Sequence, residues 1–309
     1  MKKYIIINIL IFITITVAGQ YDPQYSLNLY NNMAINPGYA GSNDAICANA
    51  IIRNQWMGFG DGAPTTQMFS INSPFRLFNH NHGAGLTIIN DKIGFNNTIG
   101  LNLAYAYRYA VGQGMLGIGL DIGFLNYTIE PTWIKPDESM IDDYIPTTDD
   151  KPMALDFGIG AFYKTDNFYI GVSSKHLNQT KFEFEKGTSF IKRHYYITTG
   201  YSYQLTNPLF EIRPSVFIKT DGASSQFSLN GILLYNKRFW GGVSYRTTDA
   251  IAVMFGLEFL GGIKAGLAYD LTTSKIRGYN SGSLEIMIGY CFNLKVEKQK
   301  QFYKSIRFL

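Results

Sequence analysis

Residues 100–109, "GLNLAYAYRY", decide the fold. Leu101, Leu103, Tyr105, Tyr107 and Tyr109 fall on one side of an extended chain, and Asn102, Ala104, Ala106 and Arg108 on the other. A helix cannot hold that alternation on one face. The same period returns in "LGIGLDIGF" (116–124), where Leu116, Ile118, Leu120, Ile122 and Phe124 oppose Gly117, Gly119, Asp121 and Gly123. It returns again in "AVMFGLEF" (252–259), where Val253, Phe255, Leu257 and Phe259 oppose Met254, Gly256 and Glu258. Worked outward from these stretches, the pattern predicts fourteen strands, at 45–53, 66–74, 83–91, 97–110, 114–127, 154–164, 167–175, 194–204, 209–219, 224–235, 238–247, 250–260, 262–271 and 283–293. Many reach about ten residues, the length that crosses a bilayer at a tilt. Ordinary globular strands are about 5–6 residues long.

Composition agrees. Charged residues make up only 16% of the chain while aromatics reach 15%, with 31 glycines, a balance that suits a sheet with tight turns and much aromatic surface. Lys2 and Lys3, the apolar run Tyr4 to Val17 and the small residues Val17-Ala18-Gly19 read as a secretory signal peptide cleaved after Gly19. Its removal takes two charges off a net +4, and the near-neutral remainder does not suggest a nucleic-acid partner. No later apolar run is long enough for a membrane helix.

Among the charged residues of these strands are ten taken as lying away from the strand ends: Arg108, Asp121, Asp156, Arg213, Lys219, Arg246, Glu258, Lys264, Asp270 and Glu285. All ten fall by parity on the less apolar face, as a lipid-facing wall requires, because a charge there costs about 2–4 kcal/mol at mid-membrane. Five are basic and five acidic, which points to cross-strand ion pairs more than to a selective ion channel. Short links ("VGQG", "TDN", "TNP", "NKR", "GG") alternate with long ones at 128–153, 176–193 and 272–282. Outer-membrane barrels alternate in this way between periplasmic turns and outer loops. Three links depart from the rule: "FRLFNHNHG" (75–83) is long for a turn, and the outer links after the ninth and eleventh strands are short.

Four stretches resemble the PorP/SprF family: "QYDPQYSLNLYNNMAINPGYAGS" (20–42), "RNQWMGFGDGAPTTQMFSINSPF" (53–75), "GVSSKHLNQ" (171–179) and "LEIMIGYCF" (284–292). The resemblance spans essentially the whole mature chain. Gly38 stands where Ala is expected in many members. The resemblance implies an outer-membrane component of type IX secretion and gliding motility. It implies as partners the C-terminal domain of an exported adhesin-like protein and the periplasmic secretion or motility machinery. The family-motif candidates for partner binding are Asn36, Pro37, Tyr39, Gly41, Gln55, Trp56, Pro64, Thr65 and His176.

The residues themselves allow plainer roles. Pro37, Gly38 and Gly41 shape a turn, and Tyr39 and Trp56 anchor it by burial or at the membrane interface. Cys47 and Cys291 lie near the start of the first strand and the end of the last, both inward by parity, and form a candidate seam disulfide. Barrel shear is the obstacle to that pairing. His80, His82, His176 and His194 show no zinc spacing, so no metal site is expected, and "NHNH" reads as a solvated turn. Asp137, Glu138, Asp142, Asp143, Asp149 and Asp150 lack a calcium-loop pattern. Pro214 on an apolar face predicts a bulge. No catalytic motif is present and no cofactor is implied.

The expected architecture is all-β: a transmembrane outer-membrane β-barrel of about fourteen antiparallel strands over 45–293. It follows a signal peptide at 1–19 and an N-terminal periplasmic lead or plug at 20–44, and precedes a basic periplasmic tail at 294–309. The expected function is non-enzymatic: type IX secretion, supporting export or surface anchoring of a large adhesin-like protein, with outer-membrane lipid around the wall. The alternative is a plugged channel for small or hydrophobic molecules. Protease added to intact cells should cut within 128–153 and spare 295–309; cleavage of the tail would reverse the assigned orientation.

Overall fold

The computed structural model describes residues 22–129, 151–184, 187–259 and 261–292. The expected signal peptide at 1–19, most of the acidic 128–153 loop and the basic tail lie outside the described residues. The strands are β1 Ile46–Asn54, β2 Thr65–Leu77, β3 His80–Ile93, β4 Asn96–Val111, β5 Gly114–Ile129, β6 Met153–Lys164 and β7 Phe168–Lys175. They continue with β8 His194–Tyr201, extended by Tyr203–Gln204, β9 Phe210–Thr220, β10 Ser225–Tyr235, β11 Phe239–Arg246, β12 Ala250–Glu258, β13 Ile263–Thr272 and β14 Ser283–Phe292. Each pairs antiparallel with its neighbours in sequence, and β14 pairs with β1, so the fourteen strands close into an up-and-down barrel. A separate hairpin, Lys181–Phe184 with Gly187–Phe190, stands in the link between β7 and β8.

The alternation maps onto the wall as expected. Leu101, Leu103, Tyr105, Tyr107 and Tyr109 are exposed on the outside; Asn102, Ala104, Ala106 and Arg108 are buried inside. Of the ten charged strand residues, seven are buried in the lumen, and Arg213, Glu258 and Lys264 are half-buried. Tyr109, Tyr201, Tyr203, Tyr235, Phe239, Tyr290 and Phe292 are exposed around the end with the tight turns, an aromatic girdle of the kind that marks a bilayer interface.

Three local expectations are corrected. The link at 75–83 is a two-residue turn: β2 and β3 run on to Leu77 and His80, leaving Phe78 and Asn79, both at positive φ (48° and 65°) as a primed hairpin turn demands. His82 is therefore strand, not solvated turn. It is buried on the outer face, 2.7 Å from the Tyr105 hydroxyl and stacked on Phe75. At Pro214 there is no bulge. The register with β10 runs unbroken through Pro214↔Gly231, and the pairs on the β8 side keep one register on both sides of the proline. The assigned strand of β8 breaks only at Ser202, whose N–H donates to the Asn167 carbonyl at 2.7 Å and so continues the register with β7.

The lumen is filled by the chain's own N-terminal segment. From Asp22, among the long-loop ends of the strands, it descends through a 3-10 turn at Asn28–Tyr30. It doubles back through one helical turn at Asn32–Ile35 to bring Ala34 beside Lys175. It then descends through a second 3-10 turn at Pro37–Tyr39 and enters β1 at the tight-turn end. Of the two roles set out for residues 20–44, lumen filling describes 22–42. At the tight-turn mouth Asn43 accepts from Lys164 (2.8 Å) and Asp44 pairs with Arg108 (2.8 Å).

Inward glycines make this packing possible. A Cβ on Gly83 would stand 1.9 Å from the Ala40 carbonyl oxygen, on Gly117 2.2 Å from that of Gly38, and on Gly119 2.4 Å from the Pro37 carbonyl carbon. These obstacles are backbone and cannot rotate away. Gly83→Ala should lower unfolding stability by about 1–3 kcal/mol, the usual cost of overpacking. Gly231→Ala, where a Cβ meets nothing within 4 Å, should leave it within about 1 kcal/mol of the parent. Urea unfolding of the lipid-reconstituted barrel, read by heat-modifiable gel mobility, checks the pair.

Candidate functional site

The plug is held at three levels. At the long-loop end, Arg53 of β1, Arg246 of β11, Asp270 of β13 and Glu285 of β14 converge, each at most 2% exposed. Arg53 pairs with Asp270 at 2.8 Å and with Glu285 at 3.0 Å, and Arg246 pairs with Asp270 at 3.2 Å. The plug supplies the centre. Ser26 Oγ accepts from Arg53 (3.1 Å) and Arg246 (2.7 Å) and donates to Asp270 (2.5 Å). The Ser26 and Leu27 backbone N–H groups donate to the two Glu285 oxygens at 2.7 and 2.9 Å. Arg246 also pairs with Asp249 at 2.6 Å, so the two guanidiniums face three carboxylates.

Beside this cluster the first described plug residue meets a second one. Asp22 Oδ1 lies 2.9 Å from His176 Nε2, and Asp22 Oδ2 lies 3.9 Å from His194 Nδ1 and accepts from the Tyr196 hydroxyl. Lys219 Nζ donates to the Asp22 carbonyl at 3.1 Å. Asp156 Oδ2 stands 3.0 Å from His176 Nδ1, at ion-pair distance but without an aligned hydrogen bond. Burial works against the His176 imidazolium, but the Asp22 and Asp156 carboxylates outweigh it and raise its pKa to about 9.

Nearer the tight-turn end, Asn36 is 1% exposed and uses all of its amide. Its Nδ2 donates to the Ala161 carbonyl at 3.0 Å and the Val172 carbonyl at 3.3 Å, while its Oδ1 accepts from Gly38 N at 2.9 Å and caps the second 3-10 turn. Pro37 opens that turn where its missing N–H costs nothing. Tyr39 packs edge-on against Phe162 at 5.0 Å. Gly41, at φ 73°, donates to Asn72 Oδ1 at 3.1 Å and lies against Pro74 and Gly83. Gly38 is as tight as its glycine neighbours, since a Cβ would fall 2.7 Å from the Gly117 carbonyl oxygen. Below the plug a cavity of about 240 Å³ remains, with Tyr30, Cys47, Lys164, Arg213, Lys264 and Cys291 in its lining.

The family-motif candidates do not form one site. Asn36, Pro37, Tyr39 and Gly41 fasten the plug in the tight-turn half. Gln55, Trp56 and Pro64 belong to the loop after β1 at the opposite end and Thr65 opens β2 there; Gln55 N donates to the Pro64 carbonyl at 2.9 Å and Trp56 N to Ser283 Oγ at 3.1 Å. Trp56 sits at φ 54° and packs on Phe59. His176 joins Asp22. Cys47 and Cys291 face each other in the β1–β14 register and are disulfide-bonded. The sequence reading missed Ser26, Arg53 and Asp22. Arg53 shares parity with Cys47 in "ICANAIIRN" and was legible as a lumen charge; nothing in the sequence marks Ser26 or Asp22.

A family model described as "Type IX secretion system membrane protein PorP/SprF" matches residues 17–290. No curated protein sequence matches the chain. Among solved structures, CymD, a monoaromatic hydrocarbon channel, is similar with a TM-score of 0.50 at 12% identity, over 85% of this chain and 93% of that one. The Acinetobacter baumannii outer membrane protein Omp33 gives 0.46 at 8% identity, over 80% of this chain and 99% of its own. A mutant porin of Rh. blastica gives 0.37 at 10% identity, over 80% and 99%. At such identities the likeness concerns the fold alone.

Glu285→Ala strips Arg53, Ser26 and Leu27 of a shared acceptor. It should cost about 3–5 kcal/mol, as breaking a buried ion pair does. Lys264→Ala, in a half-exposed pair with Glu258 at 3.3 Å, should cost under about 1 kcal/mol. Denaturant midpoints of the two purified variants, set against the parent, give the comparison.

Proposed function

The chain belongs to the PorP/SprF family of type IX secretion system membrane proteins, and on that premise we propose that its barrel works as a docking scaffold rather than a conduit. In this reading it is non-enzymatic and supports export or surface anchoring of a large adhesin-like protein by engaging that cargo's C-terminal domain at the long-loop end. The periplasmic secretion or gliding machinery meets the tight-turn end. The observation that carries the reading is the filled lumen: residues 22–42 occupy it and are tied to β1, β6, β11, β13 and β14 by buried polar contacts. A movable gate would carry fewer buried hydrogen bonds to wall ions, because each buried polar group left without its partner on opening costs about 1–3 kcal/mol, and more where it is charged.

The outer loops then carry the specificity. The β1–β2 loop is braced for that role, with Met57 and Ser281 exchanging backbone hydrogen bonds with Gly282 and Met57 across to the loop before β14. The channel alternative requires a lumen that opens, and it makes a different prediction in the same experiments. In cells deleted for this chain, the adhesin-like cargo should be lost from the surface and restored by the parent. The purified full-length chain in planar bilayers should show no sustained conductance. Steady conductance together with normal cargo display in deleted cells would establish the channel instead.

A further inference from the structure

We propose that Asp22, His176 and His194 form a binding site for a first-row divalent cation of the zinc class, which locks the start of the plug to the rim of the long-loop end. The proposal goes beyond the docking role and does not depend on it.

The three residues come from three segments. Asp22 opens the plug, His176 follows β7 and His194 begins β8. One ligand atom from each lies within 4.8 Å of the others. Bonds of about 2.0–2.1 Å in a tetrahedron hold ligand atoms roughly 3.3 Å apart. The separations of 2.9 Å from Asp22 to His176 and 3.9 Å from Asp22 to His194 bracket that value. Both imidazoles are buried, and their rings meet edge-on with centroids 5.8 Å apart, so they approach one point from different directions.

The surroundings are those of a ligand shell. A metal-binding imidazole usually presents its other nitrogen to a carboxylate or a carbonyl. His176 presents Nε2 to Asp22 and has the Asp156 carboxylate 3.0 Å from Nδ1. That carboxylate is held in turn by the Thr180 hydroxyl at 2.8 Å. His194 rests its Nδ1 on the Lys192 carbonyl at 3.0 Å and must turn from it to ligate. The Tyr196 hydroxyl donates to Asp22 and would hold that carboxylate in place, leaving the fourth position to a bound water. Without metal, a proton joins Asp22 to His176; the cation takes its place and the proton leaves to solvent.

Neutral imidazole and carboxylate ligands suit zinc, whereas calcium and magnesium favour sites built from oxygens alone. Lys219 and Lys175 are the nearby cations, on the Asp22 carbonyl and on Asp121 respectively, and Asp156 and Asp121 offset them. A bound ion would fasten residue 22 to both ends of the 176–193 link.

The test uses the full mature chain, purified with a histidine-free tag, stripped with chelator and titrated with Zn²⁺. About one equivalent should bind, with a rise in unfolding temperature. His176→Gln and His194→Gln should abolish that equivalent, and Asp156→Asn should weaken it about 10–100-fold. His80→Gln, remote from the cluster, should bind like the parent. Zinc-edge X-ray absorption on the loaded parent should count two imidazoles, a readout that does not require any variant to fold. A parent that takes up no stoichiometric zinc, binding that survives both histidine replacements, or a spectrum without two imidazoles would overturn the site.

Discussion

One buried hydroxyl, Ser26 Oγ, lies where wall and plug meet. It takes hydrogen bonds from Arg53 and Arg246 and gives one to Asp270, and its own N–H caps Glu285. The four ions belong to β1, β11, β13 and β14, so one residue of the plug, through its hydroxyl and its N–H, reaches the first and last strands and the wall beyond them. Each ion pays a desolvation penalty of several kcal/mol, and only complete partnering offsets it. Without the plug, both arginines lose an acceptor and Glu285 loses two backbone donors. The N-terminal segment is therefore part of what makes the barrel stable, in the way that a core is part of a soluble domain.

A second constraint is spatial. A lumen that holds folded backbone needs wall positions with no side chain, and the chain places Gly83, Gly117, Gly119 and Gly160 where the plug's own backbone or the Asn36 amide passes. The same strands must present large apolar groups to lipid. The alternation of Leu116, Ile118 and Leu120 with Gly117 and Gly119 answers both demands in one stretch. A soluble sandwich buries its large residues and exposes its polar ones. Here the exposed residues are the large ones, and the buried ones are ions, amides and glycines.

How much of this was legible follows from range in sequence. Strand positions depend on neighbours two residues apart, and the alternation placed all fourteen within a few residues. The β2–β3 turn was misjudged because "NHNH" is polar, while the pull that makes it strand comes from Phe75, Tyr105 and Tyr107, up to 25 residues away from His82 in the chain. Pro214 predicts a bulge because local rules see one missing donor; pairing on both sides holds the register with that donor absent. The Asp22, His176 and His194 cluster has no spacing to detect, since closure of the barrel alone brings it together. For Asn36 and Pro37 the resemblance located the residues, but only the lumen explains them.

Register is the last thing the lumen decides. A slip of one residue between β1 and β14 would turn every side chain to the wrong face, so the lipid-facing pattern forbids it. A slip of two keeps each side chain on its face, and hydrocarbon is indifferent to it. The lumen is not. Cys47 opposes Cys291 and Arg53 opposes Glu285 in the same register, one contact covalent near the tight turns, the other ionic near the long loops. Moving β14 by two residues separates both pairs and withdraws Glu285 from the Ser26 and Leu27 N–H groups. The greasy surface thus selects a barrel, and the polar interior selects which barrel. That division explains why the contacts specifying this fold lie on the face that an outer-membrane wall hides from lipid.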